Sequence, residues 1–157
     1  SLTVRDVFRA RPLARVIFDR RLRTPASARL FSTLHAGPVI ILTTADAVRR
    51  DPGRAAALRA SGAMLAEGSG DLRADLRLLV DLEISTLLLE GGAVMHAAAW
   101  QAGVIDRLHV IVSPQALGAE GVQLFNGIEL PASELVPVKV DMLGPDAWME
   151  ADVHRHR

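Results

Sequence analysis

Glu90-Gly91-Gly92 stands directly behind three leucines, Leu87 to Leu89, and directly ahead of an apolar run that opens Ala93-Val94-Met95. The leucines read as the end of a buried strand, the glycines as a turn, and Ala93 to Ala102 as a helix. A strand, a glycine turn and a helix N-terminus leave backbone N–H groups converging on one spot, which suits a phosphate. Glu90 stands at its mouth. A carboxylate repels a phosphate placed on it, so its natural counterpart is a neutral or hydrogen-bonding part of a ligand. The pattern points to a nucleotide or cofactor pocket. A tight turn with Glu90 merely solvated accounts for the same residues.

Other chemistry-bearing residues are more scattered. Thr43 and Thr44 close the apolar run Pro38–Thr44 at a strand's C-terminal edge, where open α/β sheets bind ligands. Their hydroxyls would reach a bound ribose or phosphate, or simply cap the following turn. His35, His96 and His109 are too dispersed for a metal site, and no cysteine is present, so metal binding is not expected. Ser113, His109 and Asp106 share one strand end without a nucleophile elbow, which argues against a hydrolytic triad. Asp106 is expected to fix the turn after Gly103.

The elements that must position these residues alternate along the chain. Ala14–Asp19 and Pro38–Thr44 read as strands, the second continuous in apolar residues as a strand covered on both faces should be. Asp46 is a candidate cap for the next helix, which restarts near Pro52 and stops at Gly62. Ala63–Ala66 is a short strand and Glu67–Gly70 a loop. Asp71 to Leu82 has helical apolar spacing. Ile84–Leu89 reads as the next buried strand, and Gly103 as the C-cap of the helix after it. Ile105–Val112 is a strand, and 118–127 an irregular loop anchored by Phe125. Strands at Val136–Leu143 and Ala147–Val153, joined by Gly144-Pro145-Asp146, form an antiparallel hairpin at the sheet's edge.

Bulk properties fit one domain. The chain has 157 residues, 50% of them hydrophobic, and no net charge, enough for a sizeable core. No apolar run approaches a bilayer span of roughly 20 residues, so no membrane partner is expected. Aromatics make up only 4% and tyrosine is absent, which leaves few stacking platforms for nucleic acid. Arginines crowd the first thirty residues (Arg5, Arg9, Arg11, Arg15, Arg20, Arg21, Arg23, Arg29), while Lys139 is the single lysine. Such a cluster reads either as an anion-binding surface or as solvated faces written in arginine. The lack of cysteine accords with a cytoplasmic protein.

Taken together, several motifs resemble one family. They are Leu2-Thr3-Val4-Arg5, Arg15-Val16-Ile17-Phe18-Asp19 with Leu22-Arg23-Thr24-Pro25, Leu88-Leu89-Glu90-Gly91-Gly92, Gly103-Val104-Ile105-Asp106-Arg107-Leu108, Ser113-Pro114 with Leu117-Gly118, and Gly144-Pro145-Asp146. The sequence resembles the reductase domain of bacterial riboflavin biosynthesis, the C-terminal part of a bifunctional deaminase-reductase, in the dihydrofolate-reductase-like superfamily. The resemblance implies a three-layer α/β domain, a mostly parallel sheet with an antiparallel C-terminal hairpin. It implies NADPH-dependent reduction of the ribosyl group of a 5-amino-6-(5-phosphoribosylamino)uracil-type precursor to its ribityl form.

Carried onto this chain, the resemblance places Glu90 at the substrate as the catalytic-site glutamate. It makes Leu2 and Arg5 substrate contacts, with the Arg5 fork pairing a phosphate. Gly91, Gly92, Ala93, Val94 and Met95 would wrap the cofactor, with Thr43 and Thr44 nearby. Arg20 would favour a 2′-phosphate or be plain surface, and Asp19 beside it opposes the first. A side chain at Gly92 is expected to clash with the ligand and with a backbone dihedral open only to glycine. Partners implied are a phosphorylated pyrimidine, a second copy paired through the 136–153 hairpin, and a fused or upstream deaminase domain.

One departure tempers this. Relatives carry a first strand and further contacts before the Leu2-Thr3-Val4-Arg5 motif, so residues 1–157 are expected to be the C-terminal two-thirds of a reductase domain whose N-terminal part is missing. Such a piece is not expected to turn over alone. The competing reading is a non-catalytic or differently specific dinucleotide-binding relative.

Overall fold

The computed structural model describes residues 12–153, so Leu2, Arg5, Arg9, Arg11, His154 and His156 lie outside the described residues. The chain divides into two compact units, Ser1–Leu87 and Leu88–Arg157.

In the first unit, β1 (Arg15–Phe18), β2 (Val39–Thr44) and β3 (Ala63–Gly68) form a parallel sheet in the order β1-β2-β3. Phe18 lies opposite Leu42, and Thr44 opposite Gly68. Only Thr44 of β2 escapes full burial, which explains its unbroken apolar run: a central parallel strand is covered on both faces. Helices α1 (Ala45–Arg50) and α2 (Pro52–Ala60) follow β2, and α3 (Leu72–Asp81) follows β3. Ile41, Ala47, Ala55, Leu58, Ala63 and Leu22 form the core cluster.

Two caps correct or refine the sequence reading. Thr44, not Asp46, caps α1, its hydroxyl accepting the Ala47 N–H. The Asp46 carboxylate pairs with Arg49 instead. Asp51 caps α2 through the Arg54 N–H, and Asp71 caps α3 through the Ala74 N–H. The arginine-rich opening is not simply solvated: Arg15 is buried and donates to the carbonyls of Leu30, Thr33 and Gly37 and to Thr33 Oγ1, fastening the Arg29–Ala36 turn to the start of β1.

Helix α3 ends with the Glu83 N–H on the Val80 carbonyl and the Ile84 N–H on that of Leu79. That pattern needs a left-handed residue, and Glu83 occupies it at φ 61°, where a side chain is strained. Glu83→Gly is therefore expected to stabilise the protein by about 0.5–1 kcal/mol, read as a raised urea midpoint. An unchanged or lowered midpoint would show that the position carries no strain.

The expected buried strand at Ile84–Leu89 is not found. The segment has no regular secondary structure and joins neither sheet, and Leu87 and Leu88 are exposed. Three leucines satisfy a strand pattern, but a strand exists only with a ladder partner, and none among the described residues provides one.

In the second unit, α4 (Ala93–Gln101) precedes β4 (Arg107–Val112), β5 (Leu135–Leu143) and β6 (Asp146–Val153). The C-terminal pair is antiparallel as expected, but it belongs to a three-stranded sheet in the order β4-β6-β5, with β6 central. Helix α4 closes with the Gly103 N–H on the Trp100 carbonyl and the Val104 N–H on that of Ala99, and Gly103 takes φ 64°. Gly103 is the expected stop. Phe125 anchors its loop, buried against the Trp100 ring at a centroid distance of 6.0 Å. His96 also packs on Phe125, with Nδ1 3.3 Å from the Leu124 carbonyl oxygen. Asp106 helps to fix the strand start through its backbone, its carbonyl accepting the Val153 N–H.

Candidate functional site

Parallel pairing carries the chain ends of β1, β2 and β3 to one edge of the first unit's sheet. The loops leaving that edge hold Arg20 and Arg21 after β1, Thr44 and Asp46 at the end of β2, and Ser69 after β3. Together with Arg50 from the end of α1 they line a cavity of about 330 Å³. A strand's C-terminal edge is where α/β sheets bind ligands.

Each wall is held in place by its own hydrogen bonds. Thr44 Oγ1 accepts the Ala47 N–H and donates to the Arg20 carbonyl at 3.1 Å, tying the β1 loop to the β2 end. The turn after β1 winds around Asp19, whose Oδ2 accepts the Thr24 N–H at 2.6 Å and the Thr24 hydroxyl at 2.7 Å. The loop after β3 is held by buried Asp75. Its Oδ1 accepts the Ser69 N–H and hydroxyl, and its Oδ2 the Gly70 N–H. Ser69 Oγ in turn accepts the Asp71 N–H. Gly70, at φ 89°, lies under the Arg20 guanidinium, where an added Cβ would stand 3.0 Å from Nη2.

Asp19 adjoins Arg20 in sequence and would oppose an anion there. Burial pushes its carboxyl up, but hydrogen bonds from the Arg23 amide, Thr24 hydroxyl, Thr24 amide and Arg21 amide outweigh it and hold the carboxyl below its ordinary value. The carboxylate is thus spent on its own turn. A lowered native value contributes stability that is present above the unfolded value, about pH 4, and is lost as pH falls through the native one. Asp19→Asn is expected to cost about 1 kcal/mol at pH 7. Urea unfolding should show the gap to wild type closing below about pH 4. A gap that is constant with pH would remove the carboxylate from the explanation.

The predicted residues fare differently. Arg20 and Thr44 come together at the cavity. Thr43 is buried at 1% exposure, its hydroxyl without a hydrogen-bond partner among the described residues. In the second unit Glu90 is exposed and lies in the irregular segment before α4. Gly92 is the N-cap of α4, with no side-chain cap bond there. The expectation that Gly92 needs a glycine-only dihedral is overturned: φ is −62° and ψ 164°, ordinary extended backbone. Nothing lies within 4 Å of an added Cβ. Gly91 is the tighter of the two, with Met95 Cβ and Cγ 3.1 Å from an added Cβ. Ala93, Val94 and Met95 form the first turn of α4.

Arg21, named only within the arginine cluster, and Asp46, named only as a cap, also line the cavity, with Arg50 and Ser69, which the sequence reading did not name. Ser69 had a signal available, since it directly follows a strand on the ligand-binding edge, whereas Arg50 closes the helix after another; sequence spacing does not say which of these turns converge. Among the described residues no cluster of histidine, aspartate or glutamate is arranged to hold a metal ion, and no helix is long and apolar enough to cross a membrane.

The fold is the dihydrofolate-reductase-like α/β fold. A diaminohydroxyphosphoribosylaminopyrimidine deaminase/5-amino-6-(5-phosphoribosylamino)uracil reductase from Thermotoga maritima superposes with a TM-score of 0.70 at 21% identity, covering 91% of this chain and 38% of that one. The riboflavin biosynthesis reductase Rib7 of Saccharomyces cerevisiae gives 0.70 at 13% identity, covering 89% and 69%. The chain belongs to the RibD C-terminal domain family, whose model matches residues 1–149. Among curated relatives, riboflavin biosynthesis protein RibD of Actinobacillus pleuropneumoniae is 26% identical over 140 residues, covering 81% of this chain and 37% of that protein. RibD of Bacillus amyloliquefaciens is 29% identical over 171 residues, covering 100% and 46%. The 2,5-diamino-6-ribosylamino-4(3H)-pyrimidinone 5′-phosphate reductase of Methanothermobacter thermautotrophicus is 30% identical over 108 residues, covering 66% and 47%. This chain therefore spans less than half the length of these curated relatives.

Proposed function

We propose that this chain is the reductase domain of a riboflavin-pathway enzyme. It would reduce the ribosyl group of a 5-amino-6-(5-phosphoribosylamino)uracil-type precursor to the ribityl form, with NADPH as reductant. The observation that carries the reading is the family match over residues 1–149. The local chemistry supports it. In the first unit, the cavity beside Arg20 and Thr44 is cationic and sits on the ligand edge of a parallel sheet. In the second, Gly92 opens α4 with free space over its Cα, as a close approach by a ligand requires.

NADPH, when bound, supplies the hydride; the protein supplies position and electrostatics. In the first unit Arg20 and Thr44 are proposed to contact it, while Thr43, buried in the core, is not; for the second unit the resemblance proposes Gly91 to Met95. Glu90 orients the substrate, and Leu2 and Arg5 are assigned to contact it. No residue need be a strong nucleophile, in keeping with a chain that has neither cysteine nor tyrosine. The test is NADPH oxidation, followed at the nicotinamide absorbance, by the complete polypeptide carrying these residues with the pyrimidine precursor. Turnover above background is expected. A folded, cofactor-binding protein without turnover would sink the reading in favour of a non-catalytic relative.

The assembly reading follows the same line. A homodimer through the β5–β6 face is supported by Val138, Val140 and Met142, each at least half exposed on the edge strand and paired with Ala151, Met149 and Ala147 of β6. A fused deaminase domain is proposed on the Thermotoga protein's description alone. Size-exclusion mass at micromolar concentration checks the dimer, and a strict monomer contradicts it.

A further inference from the structure

Residues 113–131 lead from the end of β4 to the short Ala132–Glu134 turn before β5, with one turn of helix of their own, Gly118–Glu120. A connection this long inside a compact unit is usually functional, a lid or a binding loop. Phe125 is its one buried residue, while Leu117 and Val122 are 79% and 84% exposed. Apolar side chains held so far into water contribute nothing to the free protein. Gly118 at φ 68° and Gly127 at φ 85° bracket Val122 and Phe125 and give the segment two points at which to swivel.

The segment is fastened to α4 at one place. Phe125 packs on Trp100 and on His96, the second at a ring distance of 5.7 Å, and His96 Nδ1 stands 3.3 Å from the Leu124 carbonyl oxygen. A carbonyl only accepts, so this bond requires the proton on Nδ1. His96 and Trp100 are four residues apart and share one face of the helix. Gly92 begins the same row, its carbonyl accepting the His96 N–H. Along that row the segment covers Trp100 and His96 and stops a turn short of Gly92, where nothing lies within 4 Å of an added Cβ.

We propose that residues 113–131 are a strap that closes over a nucleotide seated at Gly92, and that His96 is the positioning residue that holds the strap beside it. The proposal rests on the reading above, which seats NADPH at the start of α4. Leu117 and Val122 supply the apolar cover, and closing keeps water from the hydride and delays release. The imidazole acts through the Leu124 carbonyl, not on the reacting atoms.

The experiment follows cleavage of the complete polypeptide by a glutamate-specific endoprotease, with the fragments identified by mass. Beside it, stopped-flow fluorescence measures the rate at which NADPH leaves. Glu120, exposed within the strap, is the reporter, because cleavage there tracks the population of the open form. Wild type is compared with His96→Ala and with His96→Asn, whose amide N–H replaces that of Nδ1. A double variant, Leu117→Ser with Val122→Ser, changes side chains too exposed to matter to the free fold. Circular dichroism confirms that each protein is folded. Saturating NADPH should slow wild-type cleavage at Glu120 by about tenfold or more. In His96→Ala and in the double variant that protection should vanish, and NADPH should leave about tenfold faster at a nearly unchanged association rate. His96→Asn should restore both. Cleavage at Glu120 that ignores bound NADPH overturns the strap and leaves the dinucleotide reading standing. Full protection in His96→Ala overturns the role of His96, and an asparagine variant as impaired as the alanine one overturns the hydrogen bond as its means. Full protection in the double variant overturns the apolar cover. No NADPH binding by wild type overturns the parent reading together with the strap.

Discussion

Replacing Asp75 by alanine will lower stability by about 3 kcal/mol, the largest single effect expected in the first unit. The side chain is buried at 6% exposure and receives the Ser69 amide at 2.8 Å, the Ser69 hydroxyl at 3.0 Å and the Gly70 amide at 2.9 Å. Truncation removes the acceptor and leaves these donors without it, each costing about 1 kcal/mol or more where water cannot replace the carboxylate. Asp75→Asn is a graded control. The one remaining side-chain oxygen still accepts the Ser69 donors, but the new amide nitrogen faces the Gly70 N–H, so a loss of about 1–2 kcal/mol is expected. Gly68→Ala attacks the same point from the other side, since its Cβ would lie 2.3 Å from Asp75 Oδ1. Urea unfolding followed by circular dichroism measures all three. An alanine variant within about 0.5 kcal/mol of wild type, the range of an ordinary surface change, would mean that the loop is held by something else.

Gly92→Ala should weaken NADPH binding at least tenfold, about 1.4 kcal/mol, while the protein itself barely notices. Its φ is ordinary and the space over its Cα is open, so the fold raises no steric objection to a methyl group. The remaining cost is that of alanine at a helix N-cap, about 0.5–1 kcal/mol. Gly103→Ala makes a matched control. It strains a left-handed C-cap at φ 64° and should cost about 1 kcal/mol, yet leave NADPH affinity untouched. Similar stabilities with divergent affinities would place the ligand against Gly92. Equal affinities for wild type and Gly92→Ala would make the glycine pair only a turn.

Much of the architecture was legible because it follows from periodicity and local chemistry. The unbroken apolar run of β2 announced a central strand. Pro52, Asp71 and Gly103 marked helix ends through mechanisms confined to a few neighbouring residues. Phe125, the one aromatic of its loop, announced its own burial, whereas its apolar neighbours Val122 and Leu124 stay exposed. The family, too, was carried by short motifs distributed along the chain, and the match over residues 1–149 agrees with them.

Other features depended on partners that no local pattern names. Leu87 to Leu89 have the composition of a buried strand, but a strand is defined by its ladder, and these residues have none among those described. Thr43 and Thr44 look alike in sequence. The alternation of a strand sends one into the core with Ile41 and leaves the other at the cavity, capping α1. Adjacency along the chain sets Asp19 against an anion at Arg20. Its carboxylate is instead enclosed by the turn that follows. Arg20, Arg50 and Ser69 are separated by long stretches of chain and become neighbours only because parallel pairing brings successive strand ends to one edge. The sequence determined the elements that local periodicity and capping define, and the chemistry they carry. The tertiary fold alone decided which side chains share a cavity and which are already spent on holding the backbone, because long-range pairing and hydrogen-bond satisfaction are properties of the folded chain.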